Sequence, residues 1–266
     1  MYQQYFGLTN DPFPRDLPPE QIFRSKTMCE AHERLNHLCS HAGIMLLTGI
    51  PGSGKTTALR CMIQTLNRKT YFPVYLPLST VSVFEFYRQL NTSLGGSEHY
   101  YKSDIYCSIQ SQILNLVENQ GLFPVVVLDE AHLLKEQNFR ELQIIVNFEM
   151  DSIMPFSLIM AGHPVLQKRL QSYTLDSFNQ RIVLKYSLQA LTEKESIEYI
   201  ESSLKRAGAQ NTLITKSACK IVFQKSRGIL RLAGELVKKA LMYCAQTGHK
   251  TVDVDDILVA AKEVLG

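Results

Sequence analysis

An α/β fold, with a parallel sheet flanked by helices and followed by a small all-helical domain, is what this sequence predicts, on three observations. From residue 26 to residue 189, apolar runs such as Ile44-Met45-Leu46-Leu47, Val125-Val126-Val127-Leu128 and Leu158-Ile159-Met160-Ala161 alternate with stretches of helical periodicity. The runs are continuous, as strands buried on both faces require. From Leu191 onward no strand-like run appears. The expected division is an extended arm over 1–25, an α/β core over 26–189 and a helical lid over 190–266.

The arm carries Pro12, Pro14, Pro18 and Pro19 among Tyr5, Phe6, Phe13 and Phe23, and the prolines forbid a long helix. Its aromatic side chains are expected to pin it, with the end near Phe23 beside an adenine ring. Met28, Ala31, Leu35 and Leu38 then recur at helical spacing between Thr27 and His41. The first strand, Ile44 to Thr48, runs into Gly49-Ile50-Pro51-Gly52-Ser53-Gly54-Lys55-Thr56, and a helix-compatible run follows from Thr57 to Ile63.

That stretch has the spacing G-x-x-x-x-G-K-[ST] in the strand-turn-helix context the motif needs. Gly49, Gly52 and Gly54 let the backbone bend into a nest of inward N–H groups, and the helix adds its positive end. Lys55 supplies a point charge for the β- and γ-phosphates, and the Thr56 hydroxyl is placed to ligate Mg²⁺. ATP and Mg²⁺ are thus the expected ligands, held by Gly49, Pro51, Gly52, Ser53, Gly54, Lys55, Thr56 and Thr57.

A second strand spans Tyr71 to Leu76, and a helical stripe from Val83 to Leu94 ends at Gly95-Gly96. A polar, aromatic-bearing loop over 97–103 precedes a helix defined by Ile105, Ile109, Ile113 and Leu116. The third strand, Phe123 to Leu128, delivers Asp129 and Glu130 at its C-terminal edge, where parallel sheets bind ligands. Asp129 is expected to hold Mg²⁺ through water, and Glu130 to polarise the attacking water. Asp129-Glu130-Ala131-His132 also spells a helicase signature, but the remaining residues are too few and too helical for a second motor lobe.

Phe139, Leu142, Ile145 and Val146 mark another helix, and the fourth strand, Phe156 to Ala161, ends in Gly162-His163-Pro164. His163 is the candidate γ-phosphate sensor at the strand tip; the alternative is a histidine satisfied by backbone. Gln180-Arg181-Ile182-Val183-Leu184 reads as a fifth strand with Arg181 at its start. Arg181 is either an arginine finger reaching a neighbouring subunit's nucleotide or a surface ion pair. In the lid, Thr192-Glu193-Lys194-Glu195 fits a capping box, and helices follow near 215–225, 229–246 and 253–264, the last capped by Asp253. Gly228-Ile229-Leu230-Arg231 opens the third lid helix, which makes Arg231 a candidate nucleotide contact.

Composition sets the remaining bounds. Twenty-eight Lys and Arg against 25 Asp and Glu give a net charge of +3, too small to indicate nucleic acid without local clustering. No apolar run is long enough for a bilayer span, and Met1-Tyr2-Gln3-Gln4-Tyr5-Phe6 lacks the layout of a signal peptide, so no membrane and a cytoplasmic location are expected. Cys29, Cys39, Cys61, Cys107, Cys219 and Cys244 show no C-x-x-C pair and no metal spacing, and read as reduced thiols.

With these residues in hand the chain resembles the AAA+ ATPases nearly end to end. Tyr5-Phe6-Gly7-Leu8, Asp11-Pro12-Phe13, Gly162-His163-Pro164 and Gln180-Arg181-Ile182 are more specific and resemble the ExeA, or general secretion pathway protein A, type. That group includes stand-alone transposon ATPases akin to TniB, TnsC and MuB. The type usually carries Gln where His163 stands, and its secretion members continue into a membrane span and a cell-wall-binding region, whereas this sequence stops at Gly266. The layout points to the transposon branch. The resemblance then implies a homo-oligomer, a ring or a helical filament of about six subunits per turn, that binds duplex DNA without sequence preference and recruits or stimulates a transposase. Arg88, Lys102, Lys135 and Arg140 are the candidate DNA contacts. A secretion or envelope-assembly ATPase acting on proteins is the alternative, and a replication loader or initiator a third reading.

Overall fold

In the computed structural model, residues 2–77 and 82–265 are described. Met1 and Gly266, cited above, lie outside them. These residues form strands β1 Gly43–Gly49, β2 Tyr71–Pro77, β3 Phe123–Asp129, β4 Ser157–Gly162 and β5 Ile182–Leu188. The helices before the fifth strand are α1 Tyr2–Tyr5, α2 Lys26–His41, α3 Lys55–Thr65, α4 Val83–Ser93, α5 Lys102–Glu118, α6 Glu136–Ile145, α7 Val165–Leu170 and α8 Asp176–Gln180. After it come α9 Glu193–Arg206, α10 Lys216–Ser226, α11 Leu230–Thr247 and α12 Val254–Leu265. The chain divides into two compact units, one of residues 27–50 and 55–188, the other of residues 1–26, 51–54 and 189–266.

The first unit is an α/β layer. Its sheet has the order β2-β3-β4-β1-β5, and every pairing is parallel. β1 and β4 are buried at every position, as their unbroken apolar runs require, whereas β2 and β5 alternate because they are edges. Pro73 and Pro77 are tolerated in β2 for the same reason, since an edge strand has one unpaired side. One face packs Leu35, Leu38, Leu59 and Met62 of α2 and α3 on Met45, Leu47, Val127 and Ile159. The other packs Phe86, Ile109 and Phe139 on Leu46, Val126, Leu128 and Met160.

The fifth strand differs from expectation. Gln180 ends α8, and the Arg181 N–H donates to the Phe178 carbonyl at 3.1 Å, so the strand begins at Ile182 and continues to Leu188. Burial of Phe178 holds this turn, and the polar residues Lys185 and Ser187 hid the second half of an edge strand. Lys102 and Ser103, expected in a loop, are the first turn of α5.

The second unit is helical. α9 carries the expected capping box, with the Thr192 side chain accepting from the Glu195 N–H and the Glu195 carboxylate accepting from the Thr192 N–H. Residues 11–23 pack on these helices: the Phe13 and Phe23 rings lie 5.6 and 5.5 Å from Tyr199, Arg206 donates to the Pro12 and Gln21 carbonyls, and Lys238 pairs with Asp11. Asp253 directly precedes α12, and its carbonyl accepts from the Ile257 N–H at 3.3 Å. Its carboxylate accepts from the Thr215 hydroxyl, and its own N–H donates to Asp256 Oδ2 at 2.9 Å.

Candidate nucleotide-binding site

In the α/β unit, β1 ends at Gly49 and α3 begins at Lys55, so the glycine-rich stretch is the turn between a central strand and a helix N-terminus. The Lys55 ammonium is buried and donates to the carbonyls of Gly49 at 2.9 Å and Ile50 at 3.2 Å. Parallel pairing sets β3 two strands from β1, with β4 between them, and this brings two residues 73 positions apart into contact. The Thr56 hydroxyl donates to Asp129 Oδ2 at 2.9 Å. Tyr75 on β2 donates to the same oxygen at 2.9 Å, and the Glu130 N–H donates to Oδ1 at 2.9 Å. Asp129 is 2% exposed, so these donors compensate a buried carboxylate. Burial, and then the Asp129 charge, push the Tyr75 phenol far above its ordinary range, which keeps it a donor.

Glu130 adopts a left-handed conformation at φ 52°, an uncommon state for a non-glycine residue. Its Oε2 lies 3.3 Å from His132 Nδ1, and the His163 N–H donates toward that same nitrogen at 3.4 Å. One ring nitrogen cannot accept from His163 and donate to Glu130 at once, so the His132 tautomer selects between the two. His163 Nδ1 itself accepts from the Val165 N–H at 3.4 Å. A Cβ at Gly162 would come within 3.1 Å of the His132 backbone nitrogen and 3.3 Å of its Nδ1, so the absence of a side chain there permits this approach.

Arg181 pairs with Asp151, where Glu149, Met150 and Asp151 all have positive φ. Arg88 faces Glu98 at 3.6 Å, Lys102 pairs with Glu141 at 2.6 Å and Arg140 with Glu136 at 2.7 Å. Three of the four candidate DNA contacts therefore have carboxylates beside them; Lys135 precedes α6.

In the helical unit, which includes residues 51–54, the Arg231 N–H donates to the Gly52 carbonyl at 3.3 Å. Gly52 has φ +80°, and a Cβ there would lie 2.9 Å from an Ile229 methyl and 3.1 Å from the Arg231 Cβ. Arg231 is the second residue of α11, and Thr57 lies in the first turn of α3. The Ser53 hydroxyl is buried with no protein partner.

These residues suit a nucleotide and a hard cation. Thr56 and Asp129 offer oxygen ligands of the kind Mg²⁺ prefers, and Lys55 and the orphaned Ser53 hydroxyl are donors suited to phosphate oxygens. Tyr75 and His132 were missed as functional residues by sequence reading. Tyr75 gave no signal without strand order, and His132 was noticed only as part of a helicase tetrad.

A glycine-rich turn after a central parallel strand, followed by a helix whose Thr56 bonds an acid at the end of the third strand, defines a phosphate-loop NTPase fold. Comparison with known proteins narrows this: residues 36–170, about half the chain, match the family described as AAA domain, and the chain belongs to that family. It is 30% identical over 272 residues to General secretion pathway protein A of Aeromonas hydrophila, an alignment covering all of this chain and 49% of that protein. The chain thus spans about half the length of that curated relative. Among solved structures it is similar in fold to Cdc6p from Pyrobaculum aerophilum, with TM-score 0.73 and 19% identity over 97% of this chain and 72% of that one. It is also similar to Drosophila ORC bound to DNA, with TM-score 0.72 and 16% identity over 96% of this chain and 64% of that one. Among the described residues no helix is long and apolar enough to cross a membrane.

Proposed function

We propose that this chain is an ATP-dependent, DNA-binding regulator of transposition whose subunits assemble on duplex DNA in the ATP state, recruit or stimulate a transposase, and leave the DNA on hydrolysis. The observation that carries the nucleotide half is the 2.9 Å bond from Thr56 to the buried Asp129, with Glu130 next in the chain. Gly49, Pro51, Gly52, Ser53, Gly54, Lys55 and Thr57 would hold the phosphates, and Thr56 and Asp129 the Mg²⁺. The cation, when bound, neutralises phosphate charge. Glu130 orients the attacking water, and its contact with His132 gives it a resting position away from that task. His163 senses the terminal phosphate, Arg231 is a nucleotide contact of the helical lid, and Arg181 serves a neighbour's nucleotide once it leaves Asp151.

The DNA half rests on the motif resemblance and on fold likeness to a structure described as bound to DNA. Lys135, Arg88, Lys102 and Arg140 are the proposed phosphate contacts, the last three after exchanging a carboxylate for DNA. A second reading, an ATPase acting on protein partners in secretion, is favoured by the 30% identity to General secretion pathway protein A.

The test is fluorescence anisotropy of a labelled random-sequence duplex titrated with the protein, in Mg²⁺ with a slowly hydrolysed ATP analogue or with ADP. Cooperative, salt-sensitive binding with the analogue alone supports the first reading. Absence of binding under both conditions at low salt removes it in favour of the second.

A further inference from the structure

The helical unit holds a side-chain cluster that the nucleotide chemistry does not use. Cys244 near the end of α11, His249 in the following turn and Asp256 in the first turn of α12 bring one ligand atom each to within 4.8 Å of one another. Spacings of five and seven residues match no metal motif, which is why the cysteines read from the sequence as isolated thiols.

We propose that Cys244, His249 and Asp256 form a binding site for a thiophilic divalent cation, zinc foremost, with solvent in the fourth position. The ligand set is the first argument: thiolate and imidazole select zinc over magnesium and calcium, and a carboxylate completes a mixed site. Geometry is the second. His249 Nδ1 lies 3.5 Å from Asp256 Oδ1, and tetrahedral zinc sets its nitrogen and oxygen ligands about 3.4 Å apart. The sulfur needs only to close by about 1 Å from the 4.8 Å limit to reach its own ligand-to-ligand spacing of about 3.6 Å.

The cluster is also built. Cys244 is fully buried and Asp256 is 3% exposed, while the His249 side chain is 60% exposed and gives the cation its entry. Asp256 Oδ2 is fixed by the Asp253 N–H, leaving Oδ1 toward the histidine, which is the outer support a ligating carboxylate needs. The His249 backbone wraps the cysteine: its N–H donates to the Cys244 carbonyl at 3.0 Å and its carbonyl accepts from the thiol at 3.2 Å. Burial, with Asp256 nearby, pushes the Cys244 thiol up to about 11. The charge of a bound cation offsets both influences by stabilising the thiolate: the S–H bond breaks, its proton goes to solvent, and a sulfur–metal bond forms.

Co²⁺ titration of the full chain, followed by Zn²⁺ competition against a chromophoric chelator, tests this. The expected results are one equivalent bound, a near-ultraviolet sulfur-to-cobalt absorption, and at least a tenfold loss of Zn²⁺ affinity in His249→Ala, whose position is exposed enough to leave the fold intact. Cys244→Ser should remove the absorption, whereas Cys107→Ser, at an exposed thiol, should leave it. Wild-type affinity in His249→Ala, or an absorption that follows Cys107, overturns the proposal.

Discussion

Gly228→Ala and Gly248→Ala together separate backbone conformation from close approach, because the two glycines flank α11 with similar torsions and different surroundings. Gly228 has φ +72° and Gly248 φ +79°, so each substitution forces an alanine into the left-handed region at about 1–2 kcal/mol. At Gly248 nothing lies within 4 Å of the added Cβ, and that is the whole expected cost. At Gly228 the Cβ would sit 2.2 Å from the Leu191 carbonyl oxygen and 3.0 Å from its nitrogen, both backbone atoms. Relief requires the strand-to-helix connection to move, costing about 1–3 kcal/mol more, and it endangers the 2.9 Å bond from the Leu191 N–H to the Gly228 carbonyl, worth about 1 kcal/mol. Gly228→Ala should therefore lose about 3–6 kcal/mol and Gly248→Ala about 1–2 kcal/mol. Urea unfolding followed by far-ultraviolet circular dichroism reads the difference as a shift in midpoint at constant m. Equal losses in the two variants, within about 0.5 kcal/mol, would refute the argument that Leu191 makes Gly228 obligatory.

Lys55→Ala should abolish ATP binding measured by calorimetry, since it removes a buried cation at the loop; micromolar binding in the variant would move the phosphate site elsewhere. Glu130→Gln should retain nucleotide binding while turnover falls by about 10²-fold or more, and wild-type turnover would mean that another group positions the water. Replacing Lys102 with Ala should weaken DNA binding and flatten its salt slope by about one, read by the same anisotropy titration; an unchanged slope would take it off the interface. For Glu195, burial alone would raise the carboxyl, but N–H donors from Thr192 and Lys26 hold it below its ordinary value. The folded group is depressed, so its contribution is present above about pH 4.3 and is lost as pH falls through the lower folded value. Glu195→Gln should then cost about 1 kcal/mol at neutral pH and progressively less in acid; a penalty constant down to pH 3 would contradict the assignment.

Local chemistry carried much of the fold into the sequence. Unbroken apolar runs marked β1, β3 and β4 because strands buried on both faces admit nothing else, and the capping box at Thr192 marked the start of α9. The glycine spacing at 49–54 announced a phosphate-binding turn because it requires positive φ at Gly52 and Gly54. Edge elements were harder to read: β5 mixes Lys185 and Ser187 with apolar residues, and its start was placed two residues early, at Gln180, which α8 holds.

The kind of element at each position, and the donors and acids available for phosphate chemistry, follow from short-range periodicity and turn geometry and are readable from the residues. Tertiary structure alone decided which of those groups meet. The order β2-β3-β4-β1-β5 brings Tyr75 and Thr56 to one oxygen of Asp129, α8 and the 149–151 turn give Arg181 its partner Asp151, and the α11–α12 connection gathers Cys244, His249 and Asp256. Strand order and helix docking are fixed by burial of apolar faces distant in sequence, and no local pattern encodes which faces those are.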